Sequence, residues 1–335
     1  MKLVKTLLCS AAMLLAANGV QAKQLMCVFD PAKATGDIYA LMKDYQLAAK
    51  QWGADIELRV DTNESVIAED FKAGKCDAVS ITGLRGRQFN KFTGSIDAVG
   101  AIPSLPMAVK VMQLLSDPRF SKDMRNGAYE VAGIVPVGDA YLMVNDRNIN
   151  TVAKAAGKKI AVLSYDEAQK LMVSQIGAQP VNADVLTFGP MFNNGQVDII
   201  GAPAAVFKPF ELHKGLDRKG GAIVNYPILQ VTGNIIIRHD KFPEGFGQKS
   251  RLWLKSQLPR SLDILGKMKA DIPKKYWMDV AAADKPGYQK MMREARIDMT
   301  KRGIYDKRMM SILWNARCKE DRANFECTLQ DENYK

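Results

Sequence analysis

The sequence predicts an α/β chain folded as two similar lobes, joined by hinge strands and followed by a helical C-terminal region. Three observations carry this expectation. Residues 24–81 read β-α-β-α-β, the unit of an open parallel sheet. Residues 159–200 repeat that plan. Strand patterns at 138–145 and 233–238 lie between and after the two units, one crossing in each direction. A length of 335 residues suits two lobes sharing one chain.

The chain opens with an export signal. Lys2 and Lys5 form a positive start, and Leu7 through Ala17 is a nearly unbroken apolar run. Val20, Gln21 and Ala22 place small residues where signal peptidase reads, so cleavage after Ala22 and release into the periplasm are expected. The run falls short of the roughly 20 apolar residues of a membrane span. Cys9 sits inside the run, not after it, which argues against lipid attachment.

A strand follows at 24–29, broken by the turn-rich residues 30–36. Residues 37–52 form a helix, with Ile38, Leu41, Met42, Tyr45, Leu47 and Ala48 at helical spacing and Gly53 as the stop. A strand at 56–60 leads to a helix that Thr62 or Asn63 caps and Gly74 closes, then to a strand at 76–81. In the second unit a strand spans 159–163 and a helix spans 166–176, ending at Gly177. A short strand starts at Pro180, a helix or turn covers 187–194, and a strand covers 197–200. The closing segments match: Gly74 and Gly195 each end a helix, and Asp77 and Asp198 each precede an apolar strand and brace its turn. Beyond Glu244 the pattern is helical to about 317, with Leu252, Leu254, Leu258, Leu262, Leu265 and Met268 in register. Trp253, Tyr276, Trp277, Met291 and Met292 read as packing residues. The expected boundaries are a signal at 1–22, lobe I at 23–139 with 230–270, and lobe II with the C-terminal helices at 140–229 and 271–317. A polar tail at 318–335 should fray at its last residues.

The chain is basic, with a net charge of +11, and stays basic without Lys2 and Lys5. Its cations are scattered apart from modest clusters at 274–275 and 293–302, and export argues against nucleic acid. Of five cysteines, Cys9 leaves with the signal, and Cys27, Cys76, Cys318 and Cys327 remain for an oxidising compartment. Cys318–Cys327 closes a short loop. Cys27–Cys76 is expected because the first and third strands of such a unit are neighbours; two buried free thiols are the alternative. There is no C-x-x-C pair and the only histidines are His213 and His239, so no metal or cofactor is expected. Neither G-x-S-x-G nor H-E-x-x-H occurs, and no catalytic residues are assigned.

Ligands of open α/β sheets sit beyond the carboxyl ends of the strands. The candidates at those edges are Asp30, Lys33, Thr82, Arg85 and Arg87 in lobe I, Asp139 and Tyr141 at the hinge, and Ser164, Tyr165, Gly201 and Ala202 in lobe II. Gly201 lets backbone approach a ligand, and the tyrosines offer a ring face. Helix starts after these loops favour an anionic group. Asp166 suits a helix cap as well as a ligand contact.

These motifs resemble the periplasmic solute-binding proteins of TRAP transporters, the DctP type. Gly74 to Ser80 is similar to that family's G-x-x-D-hydrophobic-Ser segment, and 149–162 to its I-x-T-x-x-D-L-K-G-x-K-I-R-V. Residues 176–181 are similar to its L-G-A-x-P-V and 194–198 to its x-G-x-V-D-G. The chain also resembles a subgroup of solute-binding proteins sometimes labelled AdeT or RND-type efflux components. The resemblance implies a two-lobed, type II periplasmic binding protein fold that works as a monomer. It implies capture of a small-molecule solute for the permease subunits of an inner-membrane TRAP- or ABC-like uptake system, without enzymatic turnover. Its alternatives are an accessory to multidrug or aminoglycoside efflux and an exported enzyme. The family's carboxylate-binding arginine falls at Ala161 here, so the ligand's identity and charge do not carry over.

Overall fold

A computed structural model describes residues 23–334. The expected signal at 1–22, its cleavage after Ala22, and Cys9 lie outside the described residues, as does Lys335. The first half contains β1 (Gln24–Phe29), α1 (Asp37–Gln51), β2 (Ile56–Asp61), α2 (Glu64–Lys72) and β3 (Ala78–Thr82). β1 lies between β2 and β3 and is parallel to both. α1 turns Met42, Tyr45, Ala48 and Ala49 inward, whereas Leu47 faces solvent. The Asn63 side chain caps α2 by accepting from the N–H groups of Ser65 and Val66. The short α3 (Gly83–Gly86) and α4 (Lys91–Gly94) lead to α5 (Leu105–Leu115), β4 (Arg125–Asn126) and the long β5 (Tyr129–Val144).

The second half repeats the plan with β6 (Lys159–Leu163), α6 (Glu167–Gln175), β7 (Gln179–Ala183), α7 (Phe188–Asn193) and β8 (Ile199–Pro203). β6 occupies the middle, as β1 does. The two turn aspartates act alike: Asp77 accepts from the Leu25 N–H and Asp198 from the Lys159 N–H, each at 2.9 Å. After α8 (His213–Asp217) comes β9 (Ala222–Arg238), then α9 (Phe246–Ala270), β10 (Trp277–Met278), α10 (Lys285–Lys301), α11 (Lys307–Glu320) and α12 (Phe325–Leu329).

The two units do not build separate sheets. One hydrogen-bonded sheet runs β2-β1-β3-β9-β5-β8-β6-β7. β5 and β9 have 16 and 17 residues, and the sequence pattern marked only part of each. Each hinge strand pairs with the other along its length, while opposite ends pair outward. Residues 233–237 of β9 hold β3, and residues 140–144 of β5 hold β8. Register shifts between Pro136 and Gly138 and between Ala140 and Tyr141 break the alternation that would reveal a long strand. Gly138 sits at φ +119°, which L side chains rarely adopt. The halves therefore share backbone hydrogen bonds and still leave a cavity between them.

Both expected disulfides are formed, Cys27–Cys76 with Cα atoms 6.0 Å apart and Cys318–Cys327 with 5.5 Å. The C-terminal helices pack on both halves. Met309, Met310 and Leu313 of α11 join the first half's core, whereas Tyr288, Met292 and Ala295 of α10 join the second's. In the tail, the Tyr334 carbonyl accepts from the Ser311 hydroxyl. Glu326 and Glu332 are buried against Arg296 and Arg317. Those arginines donate to the Val99 and Ala101 carbonyls, which ties the tail to the junction of the halves.

Candidate ligand-binding site

A cavity of about 500 Å³ lies between the halves, within the size range of small-molecule sites. Phe29, Asp30, Ile81 and Thr82 line it from the strand ends of the first half. Val135, Val137, Leu142 and Leu229 line it from the hinge strands, and Ser261 and Leu265 from α9. It continues under the second half, where Ile160, Val162, Val173, Ile176 and Met291 form an aliphatic wall between the sheet and helices α6 and α10. Among the described residues, its charged lining side chains are Asp30, Asp37 and Arg260. Asp37 and Arg260 are exposed at the rim.

Of the expected site residues, Asp30, Thr82 and Gly201 line this cavity. Asp30 is buried, and its carboxylate accepts from the backbone N–H groups of Ala32 at 2.8 Å and Tyr39 at 2.9 Å. It shapes the loop between β1 and α1. Thr82 caps α3 through its hydroxyl, at 3.2 Å from the Arg85 N–H, and its own N–H donates to Glu64 at 2.7 Å.

Arg85, Arg87 and Tyr165 sit at the cleft edge but bond to protein, not to the cavity. Arg87 in the first half pairs with Asp166 in the second at 3.1 Å and donates to the Gly94 carbonyl at 3.0 Å. Asp166 also caps α6, accepting from the N–H groups of Ala168 and Gln169. The Arg85 guanidinium lies 3.5 Å from the centroid of the Tyr165 ring and pairs with Glu64 at 3.4 Å. The Tyr165 hydroxyl donates to the same Glu64 at 3.3 Å. These contacts form a polar clasp across the cleft. Burial, then the Glu64 charge, hold the Tyr165 phenol well above its ordinary range. Burial opposes the Arg87 charge, but Asp166, Tyr305 and Asp97 together outweigh it and keep the guanidinium above its ordinary value. Nearby, Asp97 accepts from Thr232 at 2.7 Å, and burial pushes its carboxyl up to about 7.

The remaining expected residues lie elsewhere. Lys33 is exposed at φ +55°. Asp139 accepts from the Tyr141 hydroxyl at 2.9 Å and from Gln230. Tyr141 is fully buried on the opposite sheet face, edge-on to Trp277 with centroids 5.0 Å apart. The reason is strand alternation: Ala140, Leu142 and Val144 face the cavity, so Tyr141 faces away. Ala202 is buried in the same core as Tyr141. Ser164 is exposed, and its carbonyl accepts from Lys170 at 2.6 Å. Glu64 was missed. It occupies the first turn of α2, just past the end of β2, where the strand-end rule applies equally. The aliphatic wall was missed because its residues read as ordinary core. Ala161 lines the cavity and adds only a methyl group.

A family model described as "Solute-binding protein AdeT 1/2" matches residues 46–332. The chain is 56% identical over 305 residues to the probable solute-binding protein AdeT1 of Acinetobacter baumannii, covering 91% of this chain and 100% of that relative. It is 32% identical over 240 residues to the probable solute-binding protein AdeT2 of the same organism, covering 70% and 99%. Among solved structures, a TRAP periplasmic solute-binding protein from Ralstonia eutropha H16 with bound (S)-2-acetolactate gives a TM-score of 0.70 at 13% identity, covering 89% of this chain and 99% of that one. One from Shewanella oneidensis with bound succinate gives 0.67 at 11%, covering 88% and 98%. At such identities the solved structures establish the two-lobed fold alone.

Proposed function

The chain belongs to the AdeT 1/2 solute-binding protein family, and from that premise we propose that it captures a small molecule between its halves in the periplasm and delivers it to the permease subunits of an inner-membrane transporter. The observation that carries this reading is the cavity itself. It is walled by both halves, and β5 and β9 run through both. Such a site closes by hinge motion, with the wall completed only when the halves meet. Asp30, Thr82 and Gly201 contact the solute in this reading, while Arg85, Arg87 and Tyr165 join Glu64 and Asp166 in the clasp that secures the closed form. Fold relatives with small acids bound support a role in uptake.

The test starts from the solute that native mass spectrometry identifies on the purified protein. Adding it back should raise the melting temperature and reduce the radius of gyration in small-angle scattering. Gly201→Leu narrows the cavity next to Ile228, which lies 3.2 Å from a Cβ placed at Gly201. That variant should fold and lose at least about tenfold in affinity, the scale of 1.4 kcal/mol. A solute that binds without compaction, and equally well to Gly201→Leu, refutes capture in this cavity.

A further inference from the structure

We propose that the solute is predominantly aliphatic, with its hydrocarbon part against the second half's wall and any polar group at the rim. This rests on the capture reading above and names its ligand class.

Three observations carry it. The wall beyond the hinge strands is built from Ile160, Val162, Val173, Ile176 and Met291, which offer no hydrogen bond from their side chains. The charged groups at the cleft edge already have protein partners. Arg87 meets Asp166, Arg85 and Tyr165 meet Glu64, and Asp30 holds two backbone N–H groups. The charged lining groups in contact with solvent are Asp37 and Arg260, both on the rim. A multiply charged or heavily hydroxylated solute would lose its hydration on entering and find few partners along this wall. An alkyl chain meets no such penalty and gains from leaving water. An amphiphile with a single head group fits both regions, its chain inside and its head between Asp37 and Arg260.

The experiment measures binding of straight-chain primary alcohols of increasing length, of dodecanoate, and of two polar acids, succinate and glucuronate, to the purified protein. Calorimetry and displacement of an environment-sensitive fluorophore are the readouts. Affinity for the alcohols should rise roughly fourfold per added methylene until the cavity is filled. Dodecan-1-ol and dodecanoate should bind within about tenfold of each other, because the head lies at the rim. Ile176→Arg, which puts a cation on the wall, should weaken dodecan-1-ol by at least about tenfold. If that variant fails to fold, the length series on the unaltered protein still decides. A flat length series, or succinate or glucuronate binding more tightly than every alcohol, overturns the aliphatic class. In that case compaction by the polar acid leaves capture standing. No binding of any probe, together with no small molecule on the purified protein, overturns both.

Discussion

Arg87 and Asp166 are 12% and 2% exposed, so each depends on the other for its charge. Removing one partner of a buried pair leaves the other uncompensated, which typically costs about 3–5 kcal/mol, whereas replacing both is often near neutral. Arg87→Met should therefore destabilise the protein by about 3 kcal/mol in urea unfolding and enlarge its radius of gyration, because the lost contact joins the halves. Adding Asp166→Asn, which keeps an oxygen to cap α6, should recover much of the stability while the molecule stays expanded. A double variant as unstable as the single one refutes this account of the clasp. Both residues were legible as strand-edge polar groups. Their meeting was not, since 79 residues separate them and only the packing of the halves brings them together. Tyr141 teaches the converse: its strand was legible, but its side chain follows the pleat of β5 away from the cleft.

Among the elements, the repeated β-α-β-α-β unit was the most legible, because its stops are local. Gly53, Gly74, Gly177 and Gly195 all have φ between +71° and +87°, a conformation that glycine adopts freely. The neighbourhood of β1 and β3 also followed from the unit's topology, and with it the Cys27–Cys76 bond. Its sequence separation is 49, against 9 for Cys318–Cys327. On loop entropy the longer closure contributes about 4 kcal/mol and the shorter about 3 kcal/mol. Cys27→Ala with Cys76→Ala should lower the urea midpoint more than Cys318→Ala with Cys327→Ala. The reverse order would show that native packing around the bonds, not the unfolded chain, sets their effect. The hinge strands were the least legible elements. Their bulges shift the two-residue period within what is one strand.

Across the whole molecule, the C-terminal tail acts as a structural part. Glu332 reaches Arg296 at 2.6 Å and Arg317 at 2.8 Å, both nearly out of solvent. Burial alone would raise its carboxyl, but the hydrogen bond and charge of Arg296, with the charge of Arg317, pull it below its ordinary value. A depressed carboxyl contributes stability that is present above its unfolded pKa and lost as pH falls through its folded one. Glu332→Gln should therefore destabilise the protein at neutral pH by about 3–5 kcal/mol in urea unfolding, and the difference from the parent should shrink in acid. A difference that does not change with pH would refute a charge-based role. Because Arg296 and Arg317 also hold Val99 and Ala101, this tail helps to set the junction that the cavity crosses.

The sequence by itself determined the two repeated units, the neighbourhood of the first and third strands that brings Cys27 beside Cys76, and the polar character of the cleft edge. These depend on local periodicity, glycine stops and the fixed topology of a parallel unit. Only the tertiary structure decided that one sheet runs through both halves, that the edge charges neutralise each other, and that the remaining wall is aliphatic. Each of those depends on residues far apart in the chain meeting across a hinge, and hydrophobic patterning alone cannot distinguish a side chain that fills a core from one that lines a cavity.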